Sequence, residues 1–130
     1  MRLKSFRENQ PEDGLVTSVL DEVEEMGEEE EAILCGFCQN SITDTSNQIA
    51  MNGAHSHIFA NPHGYVFEIG CYKRATGCLT SLESSPEFSW FSGYHWKIAL
   101  CSNCSNHLGW YFFSNTSSFF GLIQENLILP

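Results

Sequence analysis

Apolar and polar side chains alternate in the second half of the chain with the period of a half-buried β-strand. In residues 94–100 every second side chain is apolar, and these side chains fall on one face: Tyr94, Trp96, Ile98 and Leu100. Residues 108–113 and residues 65–72 predict two further strands. No long helical pattern appears after residue 32, and glycine and serine recur as turn signals. The pattern predicts an all-β fold built from antiparallel strands.

The first 31 residues have a different composition from the rest of the chain. They contain 11 acidic and 3 basic residues and end in four consecutive glutamates. Like-charge repulsion and few apolar groups predict an acidic, disordered tail over residues 1–31 and a folded domain over residues 32–130. The alternative is a short helix that docks on a partner. Its apolar face would consist of Val16, Val19, Leu20, Val23 and Met26.

The net charge of −10 argues against several classes of partner. Residues 32–130 contain 5 acidic residues and only three basic ones, Lys73, Arg74 and Lys97. Three cations are too few for a nucleic-acid or anionic membrane surface, so we expect neither partner. No run of about eighteen apolar residues is present to span a membrane. The basic first seven residues are not followed by the apolar stretch of a signal peptide. We therefore expect an intracellular protein, cytoplasmic or nuclear, and a secreted form only if a signal peptide precedes this sequence.

Four cysteines form two Leu-Cys-x-x-Cys motifs, one at Cys35 and Cys38 and one at Cys101 and Cys104. The two-residue spacing lets a tight turn aim both sulfur atoms at one point. Two such turns supply the four thiolates of a tetrahedral zinc site. Four thiolates leave no coordination position open for water, so the single predicted Zn²⁺ ion is structural rather than catalytic.

Disulfide bonds are the alternative use of these cysteines. Thiols of intracellular proteins are mostly reduced, and paired C-x-x-C motifs are typical of metal sites rather than of disulfide frameworks. Cys71 and Cys78 lie outside the two motifs. We interpret them as buried, inert thiols, while a secreted form leaves open a disulfide across the turn between them.

Three tryptophans, Trp90, Trp96 and Trp110, lie in or beside the strands that flank the second cysteine pair. Aromatic side chains usually fill a core, and this is the simpler interpretation. The same positions also allow three indole rings to wall a pocket for a small flat group. With four thiolates available for the metal, we expect His63 and His107 to have hydrogen-bonded structural roles.

Three ordered motifs add a further line of inference: Asn61-Pro62-His63-Gly64-Tyr65, E-x-S-W-F-x-G-Y-x-W at residues 87–96 and C-x-x-C-x-x-H-x-G-W-x-F at residues 101–112. Together they resemble the thalidomide-binding (CULT) domain of the cereblon family. The resemblance runs from about residue 33 to residue 130. It implies a β-tent fold, in which two antiparallel sheets are pinned by a structural zinc ion held by four cysteines.

The resemblance also implies a tri-tryptophan cage for glutarimide or another thalidomide-type cyclic imide. The implied ligand-binding residues are Asn61, Pro62, Phe88, Ser89, Trp90, Trp96, Trp110 and Phe112. The Phe88 carbonyl would accept the imide N–H, and the Trp90 amide would donate to an imide carbonyl. Phe88 stands where the family has a histidine, and Ser92 stands where it has a proline. No catalytic residue is implied, so we expect a binding module rather than an enzyme.

The resemblance implies partners as well. The natural ligand would be a cyclic imide at the C-terminus of a protein, recognised on behalf of a cullin-RING ubiquitin ligase. Binding to a ligase adaptor would require a Lon-like domain and a helical segment, which 130 residues cannot accommodate. Two alternatives remain open. One is an enzyme like the B-type methionine sulfoxide reductases, with Cys71 or Cys78 as its reactive thiol, and the other is a protein-interaction module with purely structural aromatics.

Overall fold

The computed structural model describes residues 30–130, and residues 31–130 form one compact unit. The disordered tail predicted over residues 1–31 and the alternative docking helix lie outside the described residues, apart from Glu30 and Glu31 at the end of the predicted tail. The unit contains nine β-strands and two short 3-10 turns, at Thr45–Asn47 and Gln124–Asn126. Within this described part, no helix has the length and apolar character needed to cross a bilayer.

A small three-stranded sheet joins the two ends of the domain. Its strands are β1 (Ala32–Cys35), β2 (Ser41–Asp44) and β9 (Leu127–Ile128), in the order β9-β1-β2. Ile128 pairs with Leu34, so the last strand closes onto the first. Both pairings in this sheet are antiparallel.

A six-stranded antiparallel sheet forms the rest of the domain, in the order β3-β4-β8-β7-β6-β5. Its strands are β3 (Ser56–Ala60), β4 (Val66–Tyr72), β5 (Cys78–Thr80), β6 (His95–Cys101), β7 (His107–Phe113) and β8 (Ser118–Ile123). The three strands predicted from the alternation correspond to β4, β6 and β7. The predicted fold class, all-β with two antiparallel sheets, is confirmed.

Each face of the large sheet packs on its own apolar cluster. The first cluster contains side chains of both sheets: Ile33, Cys35, Ile42, Tyr72, Ala75, Cys101, Leu108, Leu122 and Leu127. The second cluster contains Ile69, Cys71, Phe91, Phe112, Phe119 and Ile123. Cys71 and Tyr72 are neighbours in β4 and belong to different clusters, because successive strand residues point to opposite faces.

An irregularity in β7 changes which side chains share a face. The pairing of β6 with β7 shifts between Ala99 and Leu100, so β7 accommodates one extra residue. In a regular strand Leu108 and Trp110 would point to the same face. Here Leu108 belongs to the first cluster and Trp110 packs against the second. The shift therefore lets one short strand contribute side chains to the first cluster on one face of the sheet and to the second cluster on the other.

The face of β6 that was predicted to be apolar and buried is only partly buried. Tyr94, Trp96 and Leu100 are half-buried as predicted, but Ile98 is 39% exposed. The fully buried side chains lie on the other face, at Ala99 and Cys101. The prediction was wrong here because it assumed one buried face. The large sheet has an apolar cluster on each face, and side chains of the small sheet pack with Cys101 in the first cluster.

Candidate functional site

Two turns of matching geometry present the four predicted cysteines, the first between β1 and β2 and the second between β6 and β7. In each turn the backbone N–H of the first cysteine donates to the carbonyl of an asparagine five residues later, Cys35 to Asn40 and Cys101 to Asn106. The residue before each asparagine is left-handed, with a φ of 68° in the first turn and 67° in the second. This repeated geometry aims two sulfur atoms of each turn at one point.

The four sulfur atoms lie close enough to hold a metal ion. All four Sγ atoms lie within 4.8 Å of one another. The Sγ atoms of Cys35 and Cys104 are 3.7 Å apart, and those of Cys38 and Cys101 are 3.6 Å apart. A tetrahedron with metal–sulfur bonds of about 2.3 Å has edges of about 3.8 Å, so the arrangement fits zinc. Each close pair joins one turn to the other, so an ion would link the small sheet to the large one.

Backbone N–H groups around the sulfurs favour negative charge at the second turn. Burial alone raises the pKa of the Cys101 thiol, but hydrogen bonds from the backbone N–H groups of Cys104 and Asn103, together with those from the Cys38 and Cys104 thiols, lower this pKa to about 6. The backbone N–H of Asn106 lowers the pKa of the Cys104 thiol. In the first turn, burial raises the pKa of the Cys35 thiol to about 11. A bound cation would deprotonate all four thiols, because coordination stabilises the thiolate directly.

Two asparagines near the sulfurs were missed in the sequence. The Asn106 side-chain amide donates to the Cys104 sulfur at 3.3 Å, and that of Asn40 approaches the Cys101 sulfur at 3.7 Å. The signal was present, because both motifs extend to Leu-Cys-x-x-Cys-x-Asn. Such donors stabilise thiolates and fix their orientation. Residues that hydrogen-bond to metal ligands have the same effect at metal sites generally.

A cavity of about 480 Å³ opens beside the β6–β7 hairpin, on the face of the second apolar cluster. Its lining residues are Asn61, Pro62, His63, Phe88, Trp90, Trp96, Trp110 and Phe112. Seven of the eight predicted ligand-binding residues are among them. Ser89 is not, and its hydroxyl donates to the Phe91 carbonyl at 3.0 Å. His63, expected to be structural, does line the cavity.

The indole rings form walls at a steep angle. The ring centroids of Trp90 and Trp110 are 4.7 Å apart, and their planes meet at 75°. The Trp90 Nε1–H donates to the Ala60 carbonyl at 3.1 Å, and the Trp96 Nε1–H donates to the Glu87 carbonyl at 2.8 Å. Both bonds hold an indole by its polar edge and leave its flat face for packing.

A second layer of rings supports these walls. Phe59 stacks on Trp90 with centroids 5.0 Å apart and an interplanar angle of 12°. Phe67 and His107 both meet Trp110 edge to face, at 5.2 Å and 4.9 Å. The Nε2 atom of His107 also lies 2.9 Å from the Gly109 carbonyl, which supports its expected structural role. The three tryptophans are half-buried, so each packs against the core and still lines the cavity.

Similarity to known proteins supplies the deciding observation. No family model matches the sequence. The chain is 34% identical over 105 residues to "Protein cereblon" of Gallus gallus, covering 75% of this chain and 23% of that protein. It is 36% identical over 88 residues to "Protein cereblon" of Drosophila melanogaster, covering 65% and 15%, and 32% identical over 104 residues to "Protein cereblon" of Danio rerio, covering 75% and 24%. The chain is cereblon-like.

The cereblon-like chain spans at most about a quarter of the length of these relatives. Its described part is a β domain whose cluster of four cysteines could hold a zinc ion. The similarity to these relatives therefore extends over one domain and not over their full length.

The polar edge of the cavity in this cereblon-like domain lies at Phe88. Phe88 has a φ of 57°, a left-handed conformation that is rare for a bulky residue, and its side chain is 73% exposed. Within residues 30–130, neither the Phe88 carbonyl nor the Trp90 amide N–H has a hydrogen-bond partner. One acceptor and one donor therefore lie two residues apart, on residues that line the same cavity as the indole walls.

Proposed function

We propose that residues 32–130 form a zinc-stabilised module that binds cyclic imides in the cavity walled by Trp90, Trp96 and Trp110. The observation that carries the proposal is the combination of indole walls with the Phe88 carbonyl and the Trp90 amide N–H, which have no hydrogen-bond partner within residues 30–130. A cyclic imide has two flat apolar faces and an edge of one N–H between two carbonyls. Flat faces suit the indoles, and the edge suits one acceptor beside one donor.

The metal in this proposal is Zn²⁺, held by Cys35, Cys38, Cys101 and Cys104. Sulfur–sulfur distances of 3.6 and 3.7 Å and an all-thiolate donor set support zinc. Zinc would connect the two sheets and would leave no open position for a substrate. Its role would be structural, and the ligand would bind at the aromatic cavity instead.

The expected affinity is modest. Burying about 100 Å² of apolar ligand surface contributes roughly 2.5 kcal/mol at about 25 cal/mol per Å². Each hydrogen bond in the cavity adds about 1 kcal/mol. After the cost of association, the dissociation constant for a small imide is expected on the order of micromolar or weaker.

The class of natural ligand in this proposal is a protein whose C-terminal residue has cyclised to an imide. The cavity volume of about 480 Å³ leaves room for a chain attached to the ring. We further propose that such binding serves substrate recognition for a cullin-RING ubiquitin ligase, through parts of a longer protein that would contact the adaptor. The intracellular location, cytoplasmic or nuclear, stays a prediction.

The first test distinguishes an imide edge from simple apolar binding. Glutarimide titrated into the zinc-loaded chain should shift the three indole N–H signals in NMR spectra and saturate. N-methylglutarimide has lost its donor and would leave the Phe88 carbonyl unpaired, so it should bind at least tenfold more weakly. Equal affinity for the two compounds, or no binding by a folded zinc-loaded protein, contradicts the proposal.

The second test removes one wall. Trp96→Ala should reduce glutarimide affinity about 100-fold, because a large flat contact is lost. Zinc content, measured by elemental analysis, should stay at one ion per chain, because the cavity and the cysteine cluster share no residues. Phe113→Ala is the matched control, since Phe113 is a half-buried ring that does not line this cavity. Retained imide affinity in Trp96→Ala argues against the cage.

The environments of the Cys71 and Cys78 thiols argue against the alternative of a reductase-like enzyme. Cys71 is completely buried, and burial raises its pKa to about 11. Burial also raises the pKa of Cys78 to about 12. Both thiols are therefore protonated at neutral pH, whereas a catalytic cysteine needs a thiolate. Neither thiol lines the aromatic cavity, so we favour a binding module over an enzyme.

A further inference from the structure

An aromatic surface lies on the face of the large sheet opposite the cavity. Its rings are those of Tyr111, Phe113 and Phe120, all half-buried. The Tyr111 and Phe113 rings stack with centroids 5.8 Å apart, and the Tyr111 and Phe120 rings lie 4.9 Å apart. Strand alternation explains the placement. Tyr111 pairs with Lys97, while their neighbours Trp96 and Phe112 pair on the other face.

The basic side chains of the domain lie on this same surface. Two adjoining cavities of about 450 and 720 Å³ share Tyr111 and Ser118. Lys97 lines the first cavity, and Lys73 and Arg74 line the second. These are all the lysines and arginines of residues 32–130. We refer to the lining of these two cavities as the basic aromatic surface.

Among the described residues 30–130, no carboxylate lines either cavity, although residues 32–130 contain five acidic residues. The Lys97 ammonium lies 5.6 Å from the centroid of the Phe113 ring, a cation–π distance. The surface therefore combines positive charge with half-exposed ring faces on a domain that is net negative. A partner must offer the complement of both features.

We propose that the basic aromatic surface docks an acidic polypeptide segment that carries an apolar side chain among its carboxylates. Carboxylates would pair with Lys73, Arg74 and Lys97, and the apolar side chain would pack on the Tyr111 ring. Aromatic residues and arginine are enriched where proteins bind one another. A long polyanion such as a nucleic acid fits less well, because the three basic residues of residues 32–130 are too few to neutralise a run of phosphates.

Docking at this surface is independent of the imide cavity. Trp96 and Trp110 line the cavity on one face of the β6–β7 hairpin, and Lys97 and Tyr111 lie on the other. Saturating glutarimide should therefore leave peptide binding unchanged. Failure of imide binding would not affect this proposal, and the reverse also holds.

The test uses the full chain and three labelled peptides: Glu-Glu-Phe-Glu-Glu, Gln-Gln-Phe-Gln-Gln and Glu-Glu-Ala-Glu-Glu. Fluorescence anisotropy should show weak, saturable binding of the first peptide and at least threefold weaker binding of the other two. Higher salt should weaken the binding of the first peptide, because the charge pairs are exposed to solvent. NMR shifts should fall at Tyr111, Phe113 and Lys97, with the tryptophan indoles unmoved.

Variants then locate the charge pairs. Lys97→Gln and Arg74→Gln should each weaken binding of Glu-Glu-Phe-Glu-Glu by about two- to fivefold, the range of exposed ion pairs. Arg7→Gln is the charge-matched control, since it makes the same change in net charge outside residues 30–130, and it should have no effect. Equal binding of the glutamine peptide, shifts confined to the cavity, or tighter binding of a thymidine decanucleotide would overturn the proposal.

Discussion

A Cys104→Ser variant is expected to lose its metal and to unfold at room temperature. The cysteines come from two turns more than sixty residues apart in the chain, and their sulfurs lie within 4.8 Å of one another. A bound ion therefore closes a long loop and connects both sheets. Structural zinc contributes about 10 kcal/mol or more in metal-dependent domains, comparable with the whole stability of about 5–15 kcal/mol of a small protein.

The measurement is a circular dichroism melt together with zinc content by elemental analysis. Cys71→Ala is the control, because Cys71 lies in the second apolar cluster and outside the four-cysteine group. It should keep one zinc per chain and lose only about 1 kcal/mol of unfolding free energy, the cost of a small buried deletion. A folded, metal-free Cys104→Ser protein with a melt like that of the parent chain would show that the ion is not needed for the fold.

The four-cysteine cluster was the part of the site most open to prediction, because each of its two turns is set by a short sequence motif. Two residues between Cys35 and Cys38 and between Cys101 and Cys104 set the turn geometry regardless of the intervening chain. The contribution of Asn106 depends on the same local repeat and was missed only because the motif was read two residues too short.

The aromatic cavity could not be predicted from a short motif, because its lining residues come from distant parts of the chain. Trp90 belongs to a loop and Trp110 to β7, and Asn61 reaches the cavity from the connection between β3 and β4. Residue types alone favoured a core role for the tryptophans, and the resemblance to a family supplied the set. Ser89 illustrates the limit, since it lies between two lining residues and its hydroxyl bonds to the chain instead. The sequence did not predict the roles of Phe59 and Phe67. An aromatic side chain that packs behind an indole of the cavity follows the same alternation along a strand as any core residue.

The β6–β7 hairpin connects the features of this domain. Its turn presents Cys101 and Cys104, one face supplies Trp96 and Trp110, and the other face supplies Lys97. The pairing shift beside Ala99 lets the metal side and the cavity side coexist in two short strands. The position of this hairpin relative to the small sheet would therefore affect a metal ion held by the four cysteines.

Gly77→Ala is expected to destabilise the domain by about 3 kcal/mol. A methyl group on Gly77 would lie 2.1 Å from the Ser41 carbonyl oxygen and 2.6 Å from the Ile42 Cα, both backbone atoms that cannot turn aside. The Gly77 N–H donates to the Ile42 carbonyl at 3.0 Å, and its own carbonyl accepts from the Ser102 N–H at 2.9 Å. Gly77 thus sets the distance between β2 and the second cysteine turn. Relief of the clash would move β2 away from that turn. Overpacking of this kind costs about 1–3 kcal/mol or more.

The control for this variant is Gly53→Ala. Within the part of the chain that the structure describes, no atom lies within 4 Å of a methyl group added at Gly53, but the Gly53 φ of 87° disfavours any other residue. It should cost about 1 kcal/mol through backbone strain alone. Thermal melts of the zinc-loaded proteins should show a melting temperature lowered by roughly 12 °C or more in Gly77→Ala and by about 4–8 °C in Gly53→Ala. These values assume a change of about 4–8 °C in melting temperature per kcal/mol for a domain of this size. Equal melting temperatures for the two variants would mean that β2 can shift at little cost, and that the two cysteine turns are not held at a fixed separation by Gly77.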